Sequence, residues 1–261
     1  MANFIRKWIL ETQLWVSVMV SCLCLFFGLL YQGINYKRVF LVFFSTLSAY
    51  NFIYLHASGN RMPYRKISLG LFFIGMLGWV CILLEERDLY LSANLLFLSF
   101  IVFMYNSGSL VIRIRNIFLL KIFVISFVWA YSVLWIGNSI VPVSIPGFIS
   151  VFLFIVGITI PFDICDMGRD SIQTIPKLLG IKKSKYFACF FLLSSAVLFY
   201  LNFPEKTDFV VSWSLACGVS VALVLFMKSK DSYFYTRFWI EACSSFPFIL
   251  LYLLQKIRAI L

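Results

Sequence analysis

Residues Pro161 to Gly180 read PFDICDMGRDSIQTIPKLLG. They follow a long apolar run and carry three carboxylates, Asp163, Asp166 and Asp170. The spacing is i, i+3, i+7, which on a helix puts all three on one face. Three like charges at the polar end of an apolar helix repel one another. A divalent cation relieves that repulsion, because hard cations take carboxylate oxygens as ligands. Arg169, Lys177, Lys182, Lys183 and Lys185 lie close by in the chain. Acids beside bases at a membrane surface suit a metal-bridged phosphate ligand. The alternative is a solvated helix end whose charges only mark the boundary of a span.

The run before this stretch is one of nine. They lie near Leu14–Tyr31, Arg38–Leu55, Ile67–Leu84, Tyr90–Asn106, Asn116–Ile136, Ile145–Phe162, Tyr186–Leu201, Phe209–Met227 and Phe234–Leu254. Each approaches the length of about 20 apolar residues that a spanning helix needs. The 261 residues are 62% hydrophobic with a mean hydropathy of +0.96, and the 13% that are charged cluster between the runs. That composition excludes a soluble domain. It predicts an all-α, polytopic transmembrane helical bundle of nine spans, with residues 1–261 forming a single integral membrane domain. The net charge of +11 reads as basic loops lying against anionic lipid, not as nucleic-acid binding.

Loop charge sets the orientation. The amino terminus and the loops after spans 2, 4, 6 and 8 hold 16 of the 22 Lys and Arg residues, counting Lys121 and Arg237 with their nearest loops, and the other face holds 6. This puts the amino terminus and the aspartate stretch in the cytoplasm, in a multi-pass protein of the cell membrane. The chain starts with Arg6 and Lys7 before the apolar run from Leu14, without a small-x-small cleavage site, so the first run is read as a retained span. The seven cysteines are scattered and contain no CxxC pair, which reads as apolar packing, not a disulfide framework or zinc site.

The loop after span 2 lies on the aspartate face and holds Asn51, His56, Asn60, Arg61, Arg65 and Lys66, but no carboxylate. Asn51 sits inside an apolar run, so it faces a cavity or makes an interhelical hydrogen bond. His56 reads as an interface residue, with a ligand role as the alternative. Arg113, Arg115 and Lys121 enter span 5 from the same side. Lys121 lies about 9 Å deeper along a helix than Arg115. It either snorkels back to the interface or reaches into a cavity toward a phosphate. Arg237 and Glu241, at i, i+4 on the last run, read as a mutual pair, and Glu85, Glu86 and Asp88 as a solvated turn on the outer side. Aromatic side chains mostly face lipid and helix interfaces, and a subset lining a cavity could shelter a carbocation.

With these pieces in place the chain resembles the UbiA superfamily of intramembrane polyprenyltransferases. That family has nine transmembrane helices, with acidic motifs following helices 2 and 6 at the cytoplasmic end of a central cavity. Its second motif runs D-x-x-D-x-x-x-D, then T-L-P-x-x-x-G after a gap. Asp163, Asp166 and Asp170 match the acids, and Thr174, Ile175, Pro176 and Gly180 match the tail, with a gap shorter than usual. The basic entry to span 5, with Arg115 and Lys121, is also similar. The first motif is N-x-x-x-D-x-x-x-D. Asn51 fits its first position, but Leu55 and Gly59 stand where the family has acids.

The resemblance implies a magnesium-dependent prenyltransferase whose substrate is a prenyl diphosphate and whose acceptor is an aromatic ring or a lipid. Asp163, Asp166 and Asp170 would be the catalytic and metal-binding residues. Asn51, Arg61, Lys66, Arg115, Lys121 and Lys177 would bind substrate. With the first-motif acids replaced, one Mg2+ is expected in place of two. Two other readings stay open. One is a non-catalytic homologue that binds a prenyl lipid or a partner protein, and the other is an intramembrane terpene cyclase in which the allylic cation is attacked from within. A small transporter is a more distant reading, because no span has a Gly- or Pro-broken centre with paired charges. Membrane lipid is an expected partner. The sequence says nothing of the oligomeric state.

Overall fold

The structure, a computed structural model, describes residues 9–58, 65–106, 117, 119–138, 144–168, 173–228 and 233–260. Within them the regular structure is helical. The elements are α1 (Leu14–Leu30), α2 (Tyr36–Ser58), α3 (Arg65–Glu86), α4 (Leu89–Asn106), α5 (Leu120–Tyr131, continuing through a π turn at Ser132–Ile136), α6 (Ile145–Asp166), α7 (Ile175–Leu179), α8 (Ile181–Asn202) and α9 (Thr207–Phe226). Short turns over Tyr233–Tyr235, a π turn at Thr236–Ile240 and a 3-10 turn at Cys243–Ser245 then lead into α10 (Phe246–Ile260). The described parts of the nine apolar runs are largely helical, the fifth from Leu120 on and the last interrupted by the turns before α10. Six helical stretches are long and apolar enough to cross a membrane, and the helices over Leu14–Leu30, Leu89–Tyr105 and Leu120–Ile136 are shorter.

The helix that carries the aspartates, α6, is the most enclosed of the six. Its start is set by Ser144, whose Oγ accepts a hydrogen bond from the Gly147 N–H at 3.1 Å, with Pro146 in the first turn where its missing N–H costs nothing. Asn202 at the end of α8 donates to the same Oγ at 2.8 Å, so the start of α6 and the end of α8 are tied together. Along their length the two helices approach closely at Gly157. A Cβ there would lie 2.7 Å from Leu192 Cγ and 3.1 Å from the Ala188 carbonyl oxygen. Small residues at such crossings let backbones meet where lipid offers no hydrophobic drive. Gly75 does the same between α2 and α3, where a Cβ would come within 2.8 Å of the Phe44 carbonyl oxygen.

Behind α6 lies an aromatic core. Trp213 of α9 is fully buried and stacks on Phe199 of α8, with centroids 4.8 Å apart, while Phe154 of α6 and Phe26 of α1 close around it. The Trp213 indole N–H donates to Ser195 Oγ at 3.1 Å, and Ser195 donates to the Ser150 carbonyl at 2.7 Å. One buried relay thus joins α9, α8 and α6 and satisfies each polar group in a medium with no water to do so.

At the far end of the bundle the α3–α4 turn is clipped to α2. Lys37 meets Glu85 at 2.8 Å, and the largely buried Arg38 donates to Asp88 at 3.0 Å. The expectation of a merely solvated turn therefore needs correcting. Asp88 also caps α4, its Oδ1 accepting from the Leu91 N–H at 3.1 Å. The Leu91 bond first, then Arg38, holds its carboxyl below the usual carboxylate range.

Two outcomes are expected in thermal unfolding of the detergent-solubilised protein. Gly157→Val should lower stability by about 1–3 kcal/mol, as overpacking does, whereas Gly218→Ala, with nothing within 4 Å of the new Cβ, should leave it nearly unchanged. Asp88→Ala should cost about 1 kcal/mol at neutral pH through the lost cap. Because the folded-state pKa is the lower one, that contribution is present above the unfolded carboxyl's pKa. It is lost as pH falls through the folded value, so the two proteins should converge in acid.

Candidate functional site

Two devices bring the site together from elements distant in sequence. On one side, α6 runs through an internal proline, Pro161, to end at Asp166. This leaves Asp163 buried, at 2% exposure, and Asp166 half-buried one turn on. On the other side, Leu119 turns the chain into α5 with φ 64°, a region bulky L residues rarely enter. That turn sets Lys121 in the first turn of α5. Its Nζ donates to Asp163 Oδ1 at 2.7 Å, and the two side chains are only 12% and 3% exposed. An ion pair so enclosed is held by Coulomb attraction in a medium of low dielectric, and neither member can lose the other cheaply.

Asp163 and Lys121 form one wall of a small pocket, with room for about one water. Gln173 and Thr174 supply the other polar groups, and Ile117, Leu119, Ile122 and Ile175 the apolar ones. Thr174 is 4% exposed, and its Oγ1 is buried without a hydrogen-bond partner. It sits on the extended residue that starts α7, whose Pro176 lies in the first turn. Gly180 then ends α7 and opens α8 at φ +78°, a conformation that glycine adopts without strain. The Thr-x-Pro-x-x-x-Gly tail is thus a tight turn that brings Thr174 to the same pocket as Asp163.

The other residues singled out by the sequence fall in different places. Asn51 is fully buried, but its amide N–H groups donate to the Thr12 carbonyl at 3.1 Å and the Leu47 carbonyl at 2.9 Å, and its Oδ1 is left without a partner. It therefore tethers the chain's first turn to α2 and does not line the pocket. Lys66 and Lys177 are exposed, at the start of α3 and on α7. Lys185 hydrogen-bonds the carbonyls of Leu225 and Met227, so it caps the end of α9. His56 is exposed and stacks on Phe52. Arg61, Arg115 and Asp170, with Gly59, Asn60, Arg113 and Arg169, lie outside the described residues.

The charges of Arg237 and Glu241 act on each other, as their i, i+4 spacing leads one to expect. Arg237 also donates to Gln13 Oε1 at 3.3 Å from the π turn at Thr236–Ile240. Thr174 was legible only as a position in a motif, and nothing in the sequence marks its hydroxyl as part of a pocket. The seven cysteines are all free.

As a cation site the residues fit a hard ion. Asp163 and Asp166 offer carboxylate oxygens from one face of α6, and the orphaned Thr174 hydroxyl lines the same pocket as Asp163. Among the described residues no group of three or more acids, histidines or cysteines gathers, and Asp170 lies beyond them. The pair itself makes a prediction. Lys121→Met should lower stability by about 3 kcal/mol, because it removes a contacting cation from a buried carboxylate. Adding Asp163→Asn should recover most of that loss. Chemical unfolding in detergent reads both, and a double variant no more stable than the single one would show that the pair is not what holds this end of the bundle.

No family model matches the sequence, and no curated protein matches it. Solved structures do match in three dimensions. A UbiA homologue from Archaeoglobus fulgidus bound to GPP and Mg2+ superposes with a TM-score of 0.66 over 96% of this chain and 98% of that one, at 11% identity. The same description with DMAPP and Mg2+ gives 0.60 over 95% and 99%, at 14% identity. A structure of digeranylgeranylglyceryl phosphate synthase gives 0.59 over 97% of each chain, at 15% identity. Along nearly its whole length, the chain has the fold of the UbiA homologues.

Proposed function

We propose that the chain is a UbiA-like membrane prenyltransferase that acts on a prenyl diphosphate, with an aromatic or lipid acceptor. The observation that carries this is the pocket in which Asp163, Lys121 and the Thr174 hydroxyl converge at one end of an apolar bundle. Support comes from a fold shared with structures bound to GPP or DMAPP together with Mg2+. The basic split of the loops puts this end in the cytoplasm.

Asp163, Asp166 and Asp170 would hold one Mg2+, which when bound stabilises the charge that develops on the departing diphosphate. Lys121 presents its ammonium to phosphate oxygens, and Thr174 has a hydroxyl proton to donate to the same group. Arg115, Lys177, Arg61 and Lys66 supply further cationic charge, and Asn51 holds the start of the chain against α2. The apolar residues around the pair keep water from the reacting carbon after the C–O bond of the allylic diphosphate breaks. The acceptor then forms the new bond and gives up a proton.

A second reading has one specific observation behind it. Leu55 and Gly59 stand where two acids would bind metal from the α2 side, so the chain could hold a prenyl lipid without turning it over. Both readings are tested by incubating the purified protein with prenyl diphosphates of increasing chain length, with and without Mg2+. Magnesium-dependent diphosphate release is the expected result. Asp166→Asn should lower the rate by about a hundredfold, while Glu85→Gln, on the clip at the opposite end of the bundle, should not. Binding without release would favour the second reading, and neither binding nor release would contradict both.

A further inference from the structure

We propose that the corner formed by α7, the first turn of α8 and the end of α9 binds the headgroup of an anionic phospholipid in the leaflet at this end of the bundle. Its charge is of one sign. Lys182 and Lys183 are exposed in the first turn of α8, and among the described residues neither forms an ion pair. No Asp or Glu occurs between Asp170 and Glu205, so α7 and α8 bring positive charge alone. Lys177 on α7 is also exposed. Lys185 donates to the carbonyls of Leu225 and Met227, which holds the end of α9 against the start of α8 and brings the exposed Lys228 to the same corner.

The apolar side chains mark where lipid lies. Phe187, Phe190 and Val197 stand four, seven and fourteen residues beyond Lys183, on the same face of α8, and all three are exposed. Because α8 is long and apolar enough to cross a membrane, this stripe faces acyl chains. Lys183 lies about 6 Å along the helix from the first of those rings, at the level where a lipid carries its phosphate. On α7, Ile175 and Pro176 are buried while Leu178 and Leu179 are exposed. At the end of α9, Phe226 is 80% exposed. Three elements therefore set lysines directly beside apolar side chains that need cover. A phospholipid meets both demands, since its chains cover the leucines and the rings and its phosphate meets the ammonium groups. The lipid would hold the outer face of the Thr174–Gly180 turn, whose Thr174 and Ile175 line the pocket on the other side.

The test is native mass spectrometry of the detergent-purified protein with phosphatidylglycerol or phosphatidylcholine of the same chain length, with thermal unfolding under the same conditions. Unmutated protein should bind phosphatidylglycerol about twentyfold more tightly than phosphatidylcholine, and only the anionic lipid should raise the unfolding temperature. Lys182→Gln and Lys183→Gln should each weaken phosphatidylglycerol binding about fivefold, and together they should remove most of the preference without changing phosphatidylcholine binding. Lys256→Gln, an exposed site on α10 near the end that Arg258 ties to Asp208 at the start of α9, should change neither. Without lipid all these variants should unfold as the unmutated protein does, which separates lost binding from misfolding. Equal binding of the two lipids, or an equal loss in the Lys256 variant, would overturn the proposal. So would a protein dimer that retains no lipid, which would assign the corner to a second copy of this chain. The proposed prenyltransferase function stands or falls independently of these outcomes.

Discussion

An ammonium and a carboxylate that touch inside an apolar bundle have each given up hydration, and their contact offsets part of that cost. Lys121 and Asp163 are such a pair, and the surrounding structure is arranged to keep them in contact. The strained turn at Leu119 aims the first turn of α5 at α6. The Ser144 cap and the Asn202 bond fix the opposite end of α6. The tail from Thr174 to Gly180 folds back so that Thr174 lines the pocket beside the pair.

The scaffold behind the pair does a different task. Phe154, Phe199 and Trp213 interlock α6, α8 and α9, and the Trp213–Ser195–Ser150 relay leaves none of the three helices free to rotate without stranding a buried donor. Gly157 lets α6 and α8 approach along their length. Rotation of α6 would carry Asp163 off its partner, so the aromatic core fixes the direction in which the acid points.

The sequence disclosed one side of this arrangement. Nine continuous apolar runs announce helices because composition alone sets that pattern, and the i, i+3 spacing of Asp163 and Asp166 announces a face because helical periodicity is local. Which faces meet is not local. Lys121 and Asp163 are 42 positions apart, and Asn51 and its acceptor Thr12 are 39. No spacing reports such a contact. Lys121 could be read equally as a snorkelling residue, and Asn51 as part of the pocket from which the structure separates it. The bond from Arg237 to Gln13 is equally non-local, and the π turn that carries Arg237 leaves no mark in the order of side chains. The clip of Lys37 and Arg38 onto Glu85 and Asp88 was hidden in the same way, because a charged turn looks solvated until its partner helix is known.

The chain keeps the acids of α6 and has Leu55 and Gly59 where acids are expected after α2. With a single metal bound, the cationic charge at this end would rest on that ion and on Lys121. The most direct test is a structure of the protein with Mg2+ and a non-hydrolysable prenyl diphosphate analogue. The expected result is a diphosphate in the pocket beneath Thr174, with Lys121 Nζ within hydrogen-bonding distance of a phosphate oxygen and Asp163 turned to the metal. A diphosphate bound elsewhere, with the Lys121–Asp163 pair intact, would contradict the assignment of this pocket to the prenyl diphosphate.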